Sequence, residues 1–349
     1  MRKSKKGIIK KVFIVFVLCI CFAGYFIYKN AFKNNVRLNG KKFTYLYIKS
    51  NSTYEDVLSE IYSQDIIEDK ISFEWTAREM DLEENIHCGK FRIDDKMSNR
   101  SIINAIKKNK QEKIKLYFNS QIRTKEEFIN YVTDKLELSK DEVEDFCNND
   151  QKLDKVFHLN SENMMCLVVP KIHEISWATT FEEFEKILKK SYDSLWTDEK
   201  RTKAKIIGFT IPEVIIIASI TQSESNIKSE QQKIAGVYIN RLKKGMRLQA
   251  DPTVVFANQN FDAQRVLSID KEIDSPYNTY KYKGLPPGPI CLVQPSSIDA
   301  VLNYTKHVYT FFCAKPDFSG YSNFTNNYLI HQKNAKAYQE ALNKKGINR

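Results

Sequence analysis

The feature that most constrains this chain is the uncharged run VFIVFVLCICFAGYFIY from Val12 to Tyr28. With Ile8 and Ile9 ahead of it, the run is long enough to cross a bilayer as one helix. A cleaved leader would have a shorter apolar core followed by a small-x-small site, whereas this run ends in Tyr25, Phe26 and Tyr28, which suit a membrane interface, and then Lys29. Six cations, Arg2, Lys3, Lys5, Lys6, Lys10 and Lys11, precede it with no acid among them. The positive-inside rule then keeps that end in the cytoplasm and exports everything after about residue 30.

Those six cations supply more than half of the formal charge of +11, leaving +5 for the rest of the chain. So small an excess does not select among nucleic acid, anionic lipid and an acidic wall polymer. No basic block with interleaved aromatics is present, so no nucleic-acid partner is expected. Of seven cysteines, Cys19 and Cys21 lie in the apolar run; Cys88, Cys147, Cys166, Cys291 and Cys313 are an odd set without short paired spacing. They read as buried apolar residues, with room for one or two bridges. His87, His158, His173, His307 and His331 show no paired ligand spacing and no glycine loop is built to cradle phosphate, so neither metal nor cofactor is expected.

Beyond a polar connector, Phe43 to Ile48 has strand character, and Ser52 with Glu55 has the spacing of a capping box opening the helical stretch TYEDVLSEIYSQ. A helix over Ile71 to Met80, a strand over Gly89 to Ile93 and a helix over Ser98 to Lys108 follow. The order strand, helix, helix, strand resembles a LysM-like unit, a fold that grips amino-sugar polymers; a plain α+β spacer would have the same order. A strand over Ile114 to Phe118, a helix capped by Thr124 and Glu127, and a helical stretch from Leu136 to Asp150 come next. Helical patterning resumes at Thr180, and Trp196 to Lys205 reads as a charged connection. The expected layout is a basic tail over 1–11, a transmembrane helix over 12–28, a linker over 29–41, a LysM-like domain over 42–110, a connecting α+β segment over 111–205 and a mixed α/β catalytic domain over 206–349. The fold class is α+β.

Thr210-Ile211-Pro212-Glu213 has the form of a helix start, with Thr210 and Glu213 able to cap each other and Pro212 tolerated in the first turn. In the apolar helix that follows, Val214, Ile217, Thr221 and Glu224 fall on one stripe, so Glu224 is expected to project from the buried face near the helix end. Desolvation favours the neutral carboxyl and raises its pKa toward the working pH, which suits a general acid; lysozyme is the reference case for that logic. Ser229 and Gln232 have the spacing of another capping box, opening a helix with the stripe Ile234, Val237, Tyr238 and Leu242 that closes at Gly245. The Pro- and Gly-rich segments downstream fix loop conformation at little entropic cost. From them Gln249, Asp251, Tyr277 and Asn278 can offer hydrogen bonds to sugar hydroxyls and acetamides, or cap turns.

Ala218-Ser219-Ile220 followed by Glu224-Ser225, Asn240-Arg241-Leu242, Gly245-Met246, Leu248-Gln249, Asp251-Pro252-Thr253, Tyr277-Asn278-Thr279-Tyr280 and Gly284-Leu285-Pro286-Pro287-Gly288-Pro289 together resemble the YceG/MltG family of endolytic murein transglycosylases, from about Thr210 to Ile347. The resemblance implies an extracytoplasmic domain held at a bacterial inner membrane, with Glu224 as the catalytic acid. It also implies substrate contacts by Ser225, Gln249, Asp251, Tyr277, Asn278, Thr279 and His331, peptidoglycan strands as partner, and peptidoglycan synthases as further partners. The chain departs from the family pattern at three places: Gln222 stands where the first glutamate is usual, Pro170-Lys171-Ile172-His173 where a Phe-Pro-Asp-Thr-Tyr-like motif is common, and Asn327 where a threonine is frequent.

Ordinary glycosidases use two carboxylates. A lytic transglycosylase, as the resemblance implies, needs one, which protonates the bond between N-acetylmuramic acid and N-acetylglucosamine and then deprotonates the muramic 6-hydroxyl to leave a 1,6-anhydro end. A hydrolytic muramidase with Asp251 as second carboxylate is the rival among enzymes. A membrane-tethered, non-catalytic glycan-binding scaffold is the rival from another class.

Overall fold

The computed structural model describes residues 2–263 and 265–346. Met1, Gln264, residues 347–349 at the end of the expected 206–349 domain, and the side chains of the basic cluster over 2–6 lie outside the described residues. The chain divides into two compact units, the first formed by Met1–Lys115, Lys135–Glu137 and Glu174–Thr179, the second by Leu116–Asp134, Leu138–His173 and Thr180–Arg349.

In the first unit, α1 (Arg2–Ile27) continues through a π-helical turn, Tyr28–Phe32. It is long and apolar enough to cross a membrane, and its apolar side chains stand exposed along its length. β1 (Phe43–Ile48), α2 (Tyr54–Ser63), α3 (Lys70–Glu79), β2 (Gly89–Asp94) and α4 (Asn99–Lys107) then build a small α+β body. β1 and β2 pair antiparallel with Leu46 opposite Phe91, so the inward side chains of both strands meet Val57, Ile61, Phe73 and Ile103 in one core.

The stretch expected as a free linker, 29–41, is partly woven into this body. Asn30, Ala31, Asn35 and Val36 are buried, and backbone bonds run from Asn35 N to Met97 O and from Arg37 N to Ile66 O. The asparagines explain it: Asn35 Nδ2 donates to Asn99 Oδ1 at 2.8 Å and to Asp69 O at 2.8 Å, and Asn99 Nδ2 donates to Asn30 O at 2.7 Å. A buried amide of this kind is stable only with its bonds made, so the network fixes where the chain leaves α1. The cap of α2 sits one residue beyond the expected Ser52–Glu55 pair: Thr53 Oγ1 accepts from Asp56 N, and Asp56 Oδ2 accepts from Thr53 N at 2.9 Å.

β3 (Ile114–Tyr117), α5 (Lys125–Lys135), α6 (Lys140–Asn148), α7 (Asp150–Phe157), β4 (Ile172–Ile175) and α8 (Phe181–Leu195) follow in the chain, then α9 (Asp198–Ile207), α10 (Ile211–Glu224), α11 (Lys228–Lys243), α12 (Asp251–Ala257), α13 (Pro295–Leu302), β5 (Phe311–Ala314), β6 (Ser322–Thr325) and α14 (Tyr328–Lys344). The charged connection expected over Trp196 to Lys205 is largely helical. Thr197 caps α9 by accepting from Lys200 N, and Gly208, at φ 85°, ends it in the left-handed region. Much of the expected connecting segment 111–205 belongs to the second unit, for a packing reason visible at Gly288: a Cβ there would stand 2.3 Å from Glu162 O and 2.9 Å from the Tyr277 hydroxyl.

α10 is the centre of the second unit. The expected cap is present, with Glu213 N donating to Thr210 Oγ1 and Thr210 N donating to Glu213 Oε2 at 2.7 Å. The expected single stripe is not: every residue from Val214 to Thr221 is buried, because α9, α11, α12 and α13 surround the helix. A helix apolar all round must be covered all round. The expected α+β class holds, with helices accompanied by short strands, of which β5 and β6 form an antiparallel pair with Phe312 opposite Phe324.

Candidate active site

Glu224 is the last residue of α10. Ser225, extended at φ −157°, turns the chain so that α11 starts three residues later and runs back past the glutamate. The expected Ser229–Gln232 box does not form; the N-terminal residue of α11 has no side-chain cap, and Gln231 Nε2 instead donates to Ser225 O at 2.7 Å, closing the turn from within. Tyr238, on α11 and almost fully buried, donates its hydroxyl to Glu224 Oε1 at 2.7 Å. Ile216, Ile220, Ile234, Leu248 and Ile290 pack beneath the pair, and Phe312 meets the Tyr238 ring edge-on at 5.8 Å.

These surroundings set the acidity of Glu224. Burial pushes its pKa up to about 7; the Tyr238 bond pulls down by stabilising the carboxylate, the Asp251 charge pushes up and the Arg241 charge pulls down. Desolvation wins because one hydroxyl replaces a whole hydration shell. Tyr238 occupies Oε1, and among the described residues no hydrogen bond engages the other oxygen, which leaves it open to carry a proton.

The facing wall is the loop before α12. Arg241, buried on α11, donates from Nη1 to Leu248 O at 2.7 Å and from Nε to Thr310 O at 2.6 Å, so one guanidinium holds both the loop and the approach to β5. Thr253 and Thr279 clamp the same loop: Ala250 N donates to Thr279 Oγ1 at 3.0 Å, and the two hydroxyls share a bond of 2.8 Å. Leu248 and Ala250 thus point inward while Gln249 and Asp251 face the cleft. Gln249 sits at φ 50°, a left-handed conformation unusual for a side-chain-bearing residue and here enforced by Arg241 and Thr279. Asp251, half exposed, accepts from the Tyr280 hydroxyl at 2.6 Å and lies 3.4 Å from Lys271 Nζ.

Two residues before Glu224, Gln222 ties α10 to the loop at 290–294. Its Nε2 donates to Leu292 O at 3.2 Å and its Oε1 accepts from Gln294 N at 2.8 Å. A neutral amide fits both partners at once; an ionised carboxylate in its place would set one oxygen against the Leu292 carbonyl.

These walls enclose a cleft of about 980 Å³, large enough for several sugar rings, lined on its far side by Tyr328, His331 and Tyr338 of α14. Of the residues singled out by sequence, Glu224, Gln249, Asp251 and His331 line it. The His331 ring stacks on Phe311 at 5.1 Å, with Nδ1 buried and, among the described residues, without a hydrogen-bond partner. Burial first and the Arg241 charge second lower its pKa, so it is neutral at pH 7. Ser225, Tyr277, Asn278 and Thr279 do not line the cleft. Asn278 spends its side chain on Lys271 O, Ile273 O and Tyr280 N, Thr279 clamps the loop, and Tyr277 packs on Phe256 at 4.6 Å. Sequence reading gave no role to Arg241 or Tyr280 and took Tyr238 only as a stripe residue; the one hydroxyl on that stripe was the available signal.

The family model described as the YceG-like family matches residues 46–337. The endolytic murein transglycosylase of Bacillus subtilis is 38% identical over 167 residues, 48% of this chain and 45% of that protein. That of Streptococcus pneumoniae is 32% identical over 170 residues, 47% of this chain and 30% of that protein. The chain thus matches less than half the length of these curated relatives. A crystal structure of a YceG-like protein from Listeria monocytogenes has the same fold, with a TM-score of 0.52 at 23% identity over 84% of this chain and 99% of that one.

Proposed function

The chain belongs to the YceG-like family, and on that premise we propose that it is a membrane-anchored endolytic lytic transglycosylase that cuts peptidoglycan glycan strands through Glu224. The observation that carries the reading is a carboxyl in the cleft wall whose pKa is raised to about 7 by burial while a buried tyrosine hydroxyl holds one of its oxygens. A group that must first give a proton and then take one works best when its pKa lies near the ambient pH.

In the proposed reaction, neutral Glu224 protonates the glycosidic oxygen between N-acetylmuramic acid and N-acetylglucosamine as that bond breaks. The carboxylate left behind, stabilised by the Tyr238 hydroxyl, takes the proton of the muramic 6-hydroxyl. That oxygen closes on the anomeric carbon and leaves a 1,6-anhydro end, with no water consumed. The nucleophile belongs to the substrate, so its effective concentration is high without a second catalytic carboxylate. Asp251, held by Tyr280 and Lys271, keeps a negative charge beside the cleft while the anomeric carbon becomes electron-poor. Gln249 and His331 supply hydrogen bonds to sugar substituents.

α1 serves as the anchor in this reading, with its basic end in the cytoplasm and the chain beyond it on the other side of the inner membrane. The β1-α2-α3-β2 body acts as a LysM-like glycan-holding domain, and strands still close to the membrane are cut near their synthases. The test is mass spectrometry of the fragments that the full chain, in detergent, releases from purified peptidoglycan, beside its Glu224→Gln variant. Anhydro-ended fragments from the parent alone are expected. Reducing muramic ends would move the reading to hydrolysis with Asp251, and fragments unchanged in the variant would remove Glu224 from the chemistry.

A further inference from the structure

We propose that Arg123 is an anion subsite of the cleft, whose guanidinium takes a carboxylate carried on the muramyl side of the glycan strand. The proposal rests on the transglycosylase reading and adds to it the charge of the substrate.

Arg123 lines the same cleft as Glu224 although a hundred residues separate them in sequence. Two links set its place. Leu292 N donates to Ile122 O at 3.2 Å, and Leu292 O accepts from Gln222 Nε2 at 3.2 Å. The residue next to Arg123 is therefore bonded to the residue that Gln222 holds, two positions before the acid. The placement is made by backbone groups and an amide, so it does not depend on the guanidinium itself.

The guanidinium lies over the Phe261 ring with its central carbon 4.3 Å from the ring centre. A guanidinium seated over a ring is steadied without spending its N–H donors, which keep the fork geometry that matches a carboxylate. Among the described residues, no hydrogen bond or ion pair uses those donors. The other cations of the cleft are engaged: Arg241 on main-chain carbonyls, Lys271 on Asp251, and Arg265 on Asn343 Oδ1 at 2.9 Å. A half-buried cation held over an aromatic ring, with no hydrogen bond or ion pair to its side chain among the described residues and tied to the catalytic helix, is preorganised for an anionic group that arrives with the substrate.

Two sources of that group exist on a peptidoglycan strand, since a peptide-bearing strand has its carboxylates on the stem and a stripped strand has one on the lactyl ether. Binding is measured with the full chain in detergent carrying Glu224→Gln, to prevent turnover, with and without Arg123→Gln. The probes are peptide-bearing and peptide-stripped strand fragments, each beside a copy whose carboxyls have been converted to amides. Arg123 intact, native fragments of at least one kind should bind roughly 10-fold or more tighter than their amidated copies, as expected for a charge-assisted bond. With Arg123→Gln the two copies should bind alike, and the fragment kind that discriminates identifies the source. Equal binding of native and amidated copies with Arg123 intact overturns the subsite, as does discrimination that survives Arg123→Gln. Failure of the transglycosylase reading shows separately, as the absence of anhydro ends from the chain with Glu224.

Discussion

Both units bury polar side chains, and they do so to opposite ends. In the first unit Asn35, Asn99, Ser72 and Thr76 bond to one another and to main-chain carbonyls, with all four groups neutral. In the second, Glu224 is a titratable acid held by the Tyr238 hydroxyl, and His331 has a buried nitrogen with no partner among the described residues. Neutral, mutually satisfied amides fix a position without depending on pH. An acid buried with less support than its charge requires becomes a proton donor. The cost of the site lies in the bonds left out, so the two regions should respond to mutation differently.

The largest effect should come from Glu224→Gln. Loss of a general acid costs on the order of 10²- to 10⁴-fold in rate, read as anhydro-product release. The fold should not suffer. A carboxyl raised above its unfolded value contributes stability at low pH that is lost as pH rises through about 7, so the variant should gain on the parent between pH 5 and pH 8. The gain should be on the order of 1 kcal/mol, since Glu224 keeps some open surface, measured as the difference in thermal midpoints at the two pH values. Asn99→Ala should do the reverse. It removes one buried bond each from the Asn35 amide and the Asn30 carbonyl, which keep Asp69 O and the Thr76 hydroxyl, and should cost roughly 1–2 kcal/mol at every pH in that range, while any change in activity should follow the folded fraction. A pH-dependent loss in Asn99→Ala, or a pH-independent change in Glu224→Gln, would erase the contrast between the regions.

How much of this was legible in the sequence follows from the range of the forces involved. β1, α3, β2 and the Thr210 cap of α10 lie where local pattern places them, because their signals sit within a few residues. Two other caps were legible in kind but not in register: Thr53 replaces Ser52, and the α11 turn is closed by Gln231 instead of Ser229. Glu224 was readable because an acid ending an apolar helix is a local anomaly, whereas its partner Tyr238, fourteen residues on, belongs to another helix. Asn278 and Thr279 carried polar groups in a motif-rich loop, and sequence could not tell a hydrogen bond offered to a sugar from one spent on Lys271 O or Ala250 N. Arg123 gave no signal, since its place depends on Ile122 meeting Leu292.

Tyr238→Phe sharpens the comparison by changing the support of the acid without removing the acid. The hydroxyl stabilises the carboxylate, so its loss should raise the Glu224 pKa further, by roughly one unit for a bond to a charged group. The upper limb of kcat/KM against pH, expected near 7 in the parent, should move up, while the maximal rate falls because the carboxyl becomes a weaker acid toward the glycosidic oxygen. A limb that stays in place would show that the bond in the structure is not made in solution.

The smallest effect is expected from Gln222→Glu, which restores a carboxyl where the family usually has one. In the parent the amide donates to Leu292 O and accepts from Gln294 N. The introduced carboxyl keeps both bonds only while protonated, so its own pKa should rise and the variant should lose stability as pH increases, about 1 kcal/mol more at pH 8 than at pH 5. Once ionised it also adds a negative charge close to Glu224 and should raise that pKa by a few tenths of a unit. Thermal midpoints and the kcat/KM profile read the two effects independently. A lower midpoint at pH 8 with an unmoved profile would mean that Gln222 supports the cleft wall alone. A moved profile with an unchanged midpoint would mean that the 290–294 loop adapts to either side chain and that the exchange tunes the acid directly.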